Sequence, residues 1–150
     1  MKVEDLYQEI ILDHYRAKRH SGLRQPYATE VHHVNPSCGD EVTLRVHIDG
    51  GVVSDVSYEA QGCSISQASS SVMTELVIGK PIEDGLELHD EFLTMMQSGG
   101  EYEPDEERLE DAVAFAGVAR FPVRVKCALL GWSAFKDAAL RAAANTNAQN

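Results

Sequence analysis

Between Ala28 and Ala60 apolar and polar residues alternate with a period close to two, and only two short turns interrupt the pattern. Ala28 to Val34 reads as one strand. Glu41 to Ile48 reads as a second, with Val42, Leu44, Val46 and Ile48 on one face. Val52 to Ala60 reads as a third, with Val52, Val56 and Tyr58 among its inward positions. Asp49-Gly50-Gly51 is a hairpin signal, because a tight turn between twisted strands needs residues that accept positive φ. Three successive strands joined by short turns predict an antiparallel meander.

The rest of the chain reads as helix. Val3, Leu6, Tyr7, Ile10, Ile11 and His14 recur at helical spacing, and that helix is expected to stop near Ser21-Gly22. Further helices are expected over Ser64 to Ile78, Ile82 to Gln97, Leu109 to Val118 and Lys126 to Ala143. Leu129, Leu130, Trp132, Phe135 and Leu140 are the expected buried positions of the last one. Phe121 to Val125 is expected to be extended because of Pro122, and Thr146 to Asn150 to be a frayed tail. The expected fold is therefore α+β, a three-stranded antiparallel meander packed with about five helices. A chain of 150 residues forms one domain, 1–150, with an amino-terminal helix within 1–22 and a tail over 144–150.

Composition narrows the function. The net charge is −11, and twelve of the 24 acidic residues lie between Glu83 and Asp111. Such a surface repels phosphate backbones, so nucleic acid is not expected as a partner. The acidic stretch reads as a solvated face or a docking face for a basic partner. Arg16, Lys18, Arg19 and Arg24 form a basic cluster that suits either a solvated helix end or an acidic patch on a partner. No apolar run approaches the ~20 residues that span a membrane. Met1 to Gln8 lacks the basic-then-apolar order of a secretory signal. Three cysteines is an odd number, unlike a secreted disulfide framework. The expected location is a reducing cytoplasm, where thiolates hold metals or do chemistry.

Each cysteine has its own setting. Cys38 and Asp40 lie in a turn built on Pro36 and Gly39. Cys63 follows Gly62 where the third strand gives way to a helix, and Cys127 is expected to open the last helix. Three thiols and one carboxylate make four potential ligands for a tetrahedral zinc-type site. Metal coordination or a helix amino terminus favours the thiolate. The alternative is three buried structural cysteines. The small residues Ser66, Ala68, Ser69, Ser70 and Ser71 after Cys63 would let another element approach closely. His32, His33 and His47 lack the spacing of a zinc-binding pair and read as ordinary strand residues.

The segments Asn35-Pro36-Ser37-Cys38-Gly39-Asp40, Gly62-Cys63-Ser64-Ile65-Ser66-Gln67-Ala68-Ser69 and Arg124-Val125-Lys126-Cys127 resemble the U-type iron–sulfur assembly proteins, the SufU/IscU family, with its NifU amino-terminal relatives. Leu6-Tyr7 and Ile11-Leu12-Asp13-His14-Tyr15 fit as well, and the resemblance runs from about residue 4 to 140. Scaffold-type IscU proteins carry a histidine immediately before the last cysteine. Here that position is Lys126, and 64 positions separate Cys63 from Cys127, with the acidic segment from Ile82 to Glu110 as the insertion of the SufU branch. Arg16-Ala17-Lys18-Arg19-His20 departs from the family's Lys-Asn-Pro-Arg-Asn-like segment.

The resemblance implies a zinc ion held by Cys38, Asp40, Cys63 and Cys127. It implies a sulfur acceptor for a pyridoxal-phosphate cysteine desulfurase of the SufS type, with a Suf scaffold complex downstream. In that family a histidine of the desulfurase replaces one cysteine on zinc. By its place on the turn, Cys38 is the expected mobile ligand and acceptor, with Cys127 as runner-up. Arg124 is a candidate partner contact, or an ordinary surface arginine. One alternative is a scaffold that assembles an iron–sulfur cluster on the same ligands. Another is a structural zinc-binding interaction module. A zinc deaminase is rejected, since Pro36-Ser37-Cys38 has no second cysteine in range.

Overall fold

Strands β1 (Thr29–Asn35), β2 (Asp40–Asp49) and β3 (Val52–Gln61) pair antiparallel in the order β1-β2-β3. This is the expected meander, with each boundary displaced by no more than about a residue. The computed structural model describes residues 3–37 and 39–148, and side chains over 5–37 and 39–145. Gly50 and Gly51 both take positive φ, 59° and 78°, as a two-residue hairpin turn requires. Val31 of β1 faces Leu44, and Leu44 faces Tyr58 across β2 and β3, so one row of apolar side chains runs across the sheet. Val42, Leu44, Val46, Val56 and Tyr58 are fully buried on this face. The opposite face carries Glu30, His32, Thr43, Arg45 and Glu59, a one-sided pattern typical of antiparallel sheets.

Helices cover the apolar face. α1 (Val3–Ala17) packs on α2 (Ser64–Val77), and α5 (Pro122–Ala148) lies against α2, β1 and β2. α3 (Ile82–Gln97), the single-turn α4 (Glu106–Leu109) and a 3-10 segment (Glu110–Arg120) fill the remaining side. Phe92 of α3 stacks on Trp132 of α5 at 4.8 Å between centroids and meets Phe115 edge-on at 6.0 Å. Burying a side chain such as Phe92 contributes about 1.5–3 kcal/mol.

Several helix boundaries differ from the sequence expectation, each for a physical reason. α1 ends at Ala17, short of Ser21-Gly22. Lys18 takes φ 43° and its N–H bonds back to the His14 carbonyl, a left-handed helix stop. The Gly22 N–H instead donates to the Tyr58 carbonyl and the Tyr58 N–H to the His20 carbonyl, which sets Ser21 beside Tyr58 on the outer side of β3, so the linker covers that sheet edge. The last helix begins at Pro122 rather than Lys126, because proline at a first helical position loses no hydrogen bond. Only Phe121, the residue before it, stays extended. This helix also runs to Ala148, past Ala143, so residues 144–148 of the expected tail are helical, and Gln149 and Asn150 lie outside the described residues. Leu140 is about half exposed instead of buried. No helix is long and apolar enough to cross a membrane among the described residues.

Candidate metal centre

Asp40, Cys63 and Cys127 come from three elements and converge. Their nearest ligand atoms all lie within 4.8 Å of one another. Among the described residues this is the one grouping of three or more His, Cys, Asp or Glu side chains so arranged. Cys38 lies outside the described residues, and its part in the expected ligand set belongs to the proposal below.

Asp40 is the first residue of β2, and its inward position buries it to 1% exposure. Oδ1 accepts the Cys63 backbone N–H at 3.0 Å, and Oδ2 lies 3.5 Å from Cys63 Sγ. Gly62 makes this fit possible. A Cβ placed on it would lie 2.1 Å from Asp40 Oδ1.

Cys63 is the N-cap of α2, with extended φ and ψ of −71° and 164°, and its side chain is exposed. The Ser66 hydroxyl donates to its carbonyl at 3.0 Å, as does the Gln67 backbone N–H at 3.3 Å, which anchors the cysteine at the helix start. The expectation for Cys63 agrees with its place.

Cys127 differs. Because α5 starts at Pro122, this residue sits in the second turn, and its thiol points toward the Val123 carbonyl at 3.7 Å. Its position at a helix start is therefore corrected, since the unpaired backbone N–H groups belong to the first turn. It is 3% exposed. The Asn35 Nδ2 group lies 4.0 Å from its sulfur, while Asn35 Oδ1 accepts the Ser37 N–H at 3.2 Å. That second bond fixes which end of the amide faces the thiol.

Small residues let α5 deliver Cys127 to this point, as the serine-rich start of α2 predicted. Ser66, Ser69, Ser70 and Ser71 are all buried. The Ser69 hydroxyl donates to the Ala128 carbonyl at 2.6 Å, one residue after the thiol. A Cβ on Gly131 would meet Ser70 Oγ at 2.3 Å, so the two helices touch almost backbone to backbone.

The donor set fits a zinc ion. Zn–S bonds of ~2.3 Å and Zn–O bonds of ~2.0–2.2 Å at a tetrahedral angle place sulfur and oxygen about 3.5–3.7 Å apart, and the Asp40–Cys63 separation is 3.5 Å. Softer thiolates with one harder carboxylate suit zinc or an iron–sulfur cluster better than calcium or magnesium. Asp40, Cys63 and Cys127 line an open cleft of about 480 Å3, together with Gly62, Val123 and Arg124. Arg124 is exposed at its rim, with its guanidinium 5.6 Å from the Phe121 ring centroid. Lys126 is exposed too. His33 bonds Asp137 and His32 bonds Thr43, so neither joins the group.

Asn35 and Gly62 lie within the cysteine motifs, but the sequence assigned neither a role. The asparagine before Pro36 is a turn-forming residue whose side chain caps its own turn. Its reach to Cys127, 92 positions away, depends on how α5 packs on β1.

Comparison with known proteins gives one consistent result. Residues 6–128 match the NifU-like N-terminal domain. The chain is 42% identical over 135 residues to a zinc-dependent sulfurtransferase SufU of Bacillus subtilis (strain 168), covering 89% of each. It is 41% identical over 150 residues to an iron–sulfur cluster assembly scaffold protein IscU of Streptococcus pyogenes serotype M1, covering 99% of this chain and 90% of that one. A crystal structure of a putative iron–sulfur cluster assembly scaffold protein for the SUF system from Fervidobacterium islandicum AW-1 superposes with a TM-score of 0.81 at 38% identity, covering 92% of this chain and 99% of that one.

Proposed function

The chain belongs to the NifU-like N-terminal domain family, and from that premise we propose that it is a zinc-dependent sulfur acceptor in iron–sulfur cluster biogenesis. The proposed donor is a SufS-type pyridoxal-phosphate cysteine desulfurase. The observation that carries the reading is the convergence of Asp40, Cys63 and Cys127 without a histidine among the described residues. The position before Cys127, a histidine in scaffold-type relatives, is an exposed lysine. The likeness to the Bacillus subtilis sulfurtransferase over 89% of the chain supports it as well.

In this reading Cys38, Asp40, Cys63 and Cys127 hold the metal. A bound zinc would keep the thiols deprotonated and shield them until a donor from the desulfurase takes one ligand's place. The released thiolate, assigned to Cys38, attacks the outer sulfur of the desulfurase's persulfide. A new S–S bond forms on this chain, the partner's S–S bond breaks, and the partner's cysteine leaves as thiolate. Burial argues against the runner-up, because Cys127 at 3% exposure offers an incoming persulfide little access. Arg124, exposed at the rim, would pair with a carboxylate of the partner. A Suf scaffold complex would receive the sulfur next.

The test combines metal content with a transfer assay. Purified anaerobically, the protein should contain one zinc per chain and be colourless. With a SufS-type desulfurase and cysteine it should gain sulfur by intact mass, and Cys38→Ala should abolish that gain without changing helix content. Iron with acid-labile sulfide and a brown colour would move the function to a cluster scaffold. Full acceptance by Cys38→Ala would remove the assignment of that thiol. If zinc removal only unfolds the chain, and the zinc-loaded protein accepts no sulfur, the metal is structural.

A further inference from the structure

Asp40 has two oxygens with two different tasks, and Gly62 stands against one of them. Oδ1 accepts the Cys63 N–H at 3.0 Å, and Oδ2 faces the Cys63 thiol at 3.5 Å. Asp40 is 1% exposed, so its carboxylate needs these partners in place of water. A Cβ on Gly62 would come within 2.1 Å of Oδ1, 2.5 Å of Cγ and 2.9 Å of the Asp40 Cβ. All three contacts are shorter than real Cβ atoms allow. The close packing of the carboxylate against residue 62 therefore depends on the missing side chain.

We propose that Gly62 is the positioning residue for Asp40: it leaves the space in which the Cys63 amide grips one carboxylate oxygen and the other is left as a one-oxygen metal ligand. The inference rests on the metal reading above. The same N–H holds the carboxylate in place whether or not Oδ2 is bound. Groups that orient a ligand from behind typically change metal affinity by about 10–100-fold when lost.

Gly62 also has φ 141°, in the region that disfavours any side chain. The experiment must separate that strain from the clash with Asp40. Gly62→Ala, Asp40→Ala and the double variant would be compared with the parent chain. Zinc affinity would be measured by chelator competition, and amide hydrogen exchange at Cys63 by NMR in the metal-free proteins.

The expected result for Gly62→Ala is faster exchange at the Cys63 amide, as in Asp40→Ala, and about 10–100-fold weaker zinc binding. In the Asp40→Ala background, where the carboxylate atoms at 2.1 and 2.5 Å are gone, Gly62→Ala should cost less than threefold. Equal losses in both backgrounds would overturn the proposal, since backbone strain alone would then account for them. Unchanged exchange and affinity in Gly62→Ala would overturn it as well. If Gly62→Ala fails to fold, recovery of folding by adding Asp40→Ala supports the clash, and no recovery refutes it. The metal reading fails separately if Asp40→Ala speeds exchange at Cys63 but leaves zinc affinity intact.

Discussion

The Asn35 side-chain amide lies 4.0 Å from the sulfur of Cys127, across 92 positions of sequence, and both groups are buried. Asn35 Oδ1 is committed to the Ser37 N–H, so the NH2 group is the end that faces the thiol. A donor at that place can bond the sulfur of a metal-bound cysteine and orient it from behind. Asn35→Asp would set a carboxylate against the sulfur and should weaken zinc binding by about tenfold or more. Chelator competition on the folded variant measures it, and affinity equal to the parent's would show that the amide does not support Cys127.

Cys63 and Cys127 converge on one centre, yet differ in access. Cys63 is exposed at the N-cap of α2, whereas Cys127 is 3% exposed inside α5. Thiol alkylation needs access to the sulfur. In the metal-free protein a soluble maleimide should therefore modify Cys63 at least about tenfold faster than Cys127, read by peptide mass mapping over time. Comparable rates would mean that the start of α5 opens readily, and the case against Cys127 as sulfur acceptor would lose its basis.

The sheet was legible because its period of two carries its own register. Val42, Leu44 and Val46 point one way, and the pairs Val31–Leu44 and Leu44–Tyr58 follow. The cysteine motifs were legible as local contexts, and Cys63 lies at a helix start as its glycine and serines implied. Cys127 lies one turn deeper in its helix than its local context implies, because Pro122 starts α5 rather than breaking it. At a first helical position proline is a starter, and only packing decides which. Leu140 has the apolar character of a core residue but faces outward, because it lies on the solvent side of α5, away from the fully buried Ala138 and Ala142. The contacts of Asn35 with Cys127 and of Gly62 with Asp40 join residues far apart in the chain, so no local pattern encodes them.

His14 ties three elements together. Its Nε2–H donates to Asp111 at 2.8 Å, and its Nδ1 pairs with the Ser71 hydroxyl at 2.9 Å, while the Arg19 backbone N–H donates to the same Ser71 oxygen. The chain of bonds links α1 to α2 and to the end of the acidic segment. The ring is 2% exposed. His14→Ala should cost about 2–4 kcal/mol, from lost packing and an unsatisfied hydroxyl. Asp111 has a side chain 56% exposed, and water replaces much of what Asp111→Ala removes, so that variant should cost about 1 kcal/mol or less. Urea unfolding of the metal-free proteins distinguishes the two. Equal costs would mean that the histidine's interior contacts contribute little.

His89 makes stability depend on pH. It is 4% exposed on α3, and burial lowers its pKa. The neighbouring Lys136 lowers it further, against the opposing bond to Asp90. The folded form thus prefers the neutral ring. In the unfolded chain the ring takes up a proton near its ordinary value of about 6.5. Between that value and the lower folded pKa, the unfolded state binds more protons than the folded state. Stability from this group is therefore present above about pH 6.5 and falls as the pH drops through that window. The metal-free protein should show a lower Tm at pH 5.5 than at pH 7.5, and His89→Leu should flatten part of that slope. Metal-free samples are needed because acid also protonates the thiolates and carboxylate of the candidate centre. An unchanged slope in the variant would show that the ring accepts its proton in place, with Asp90 outweighing burial.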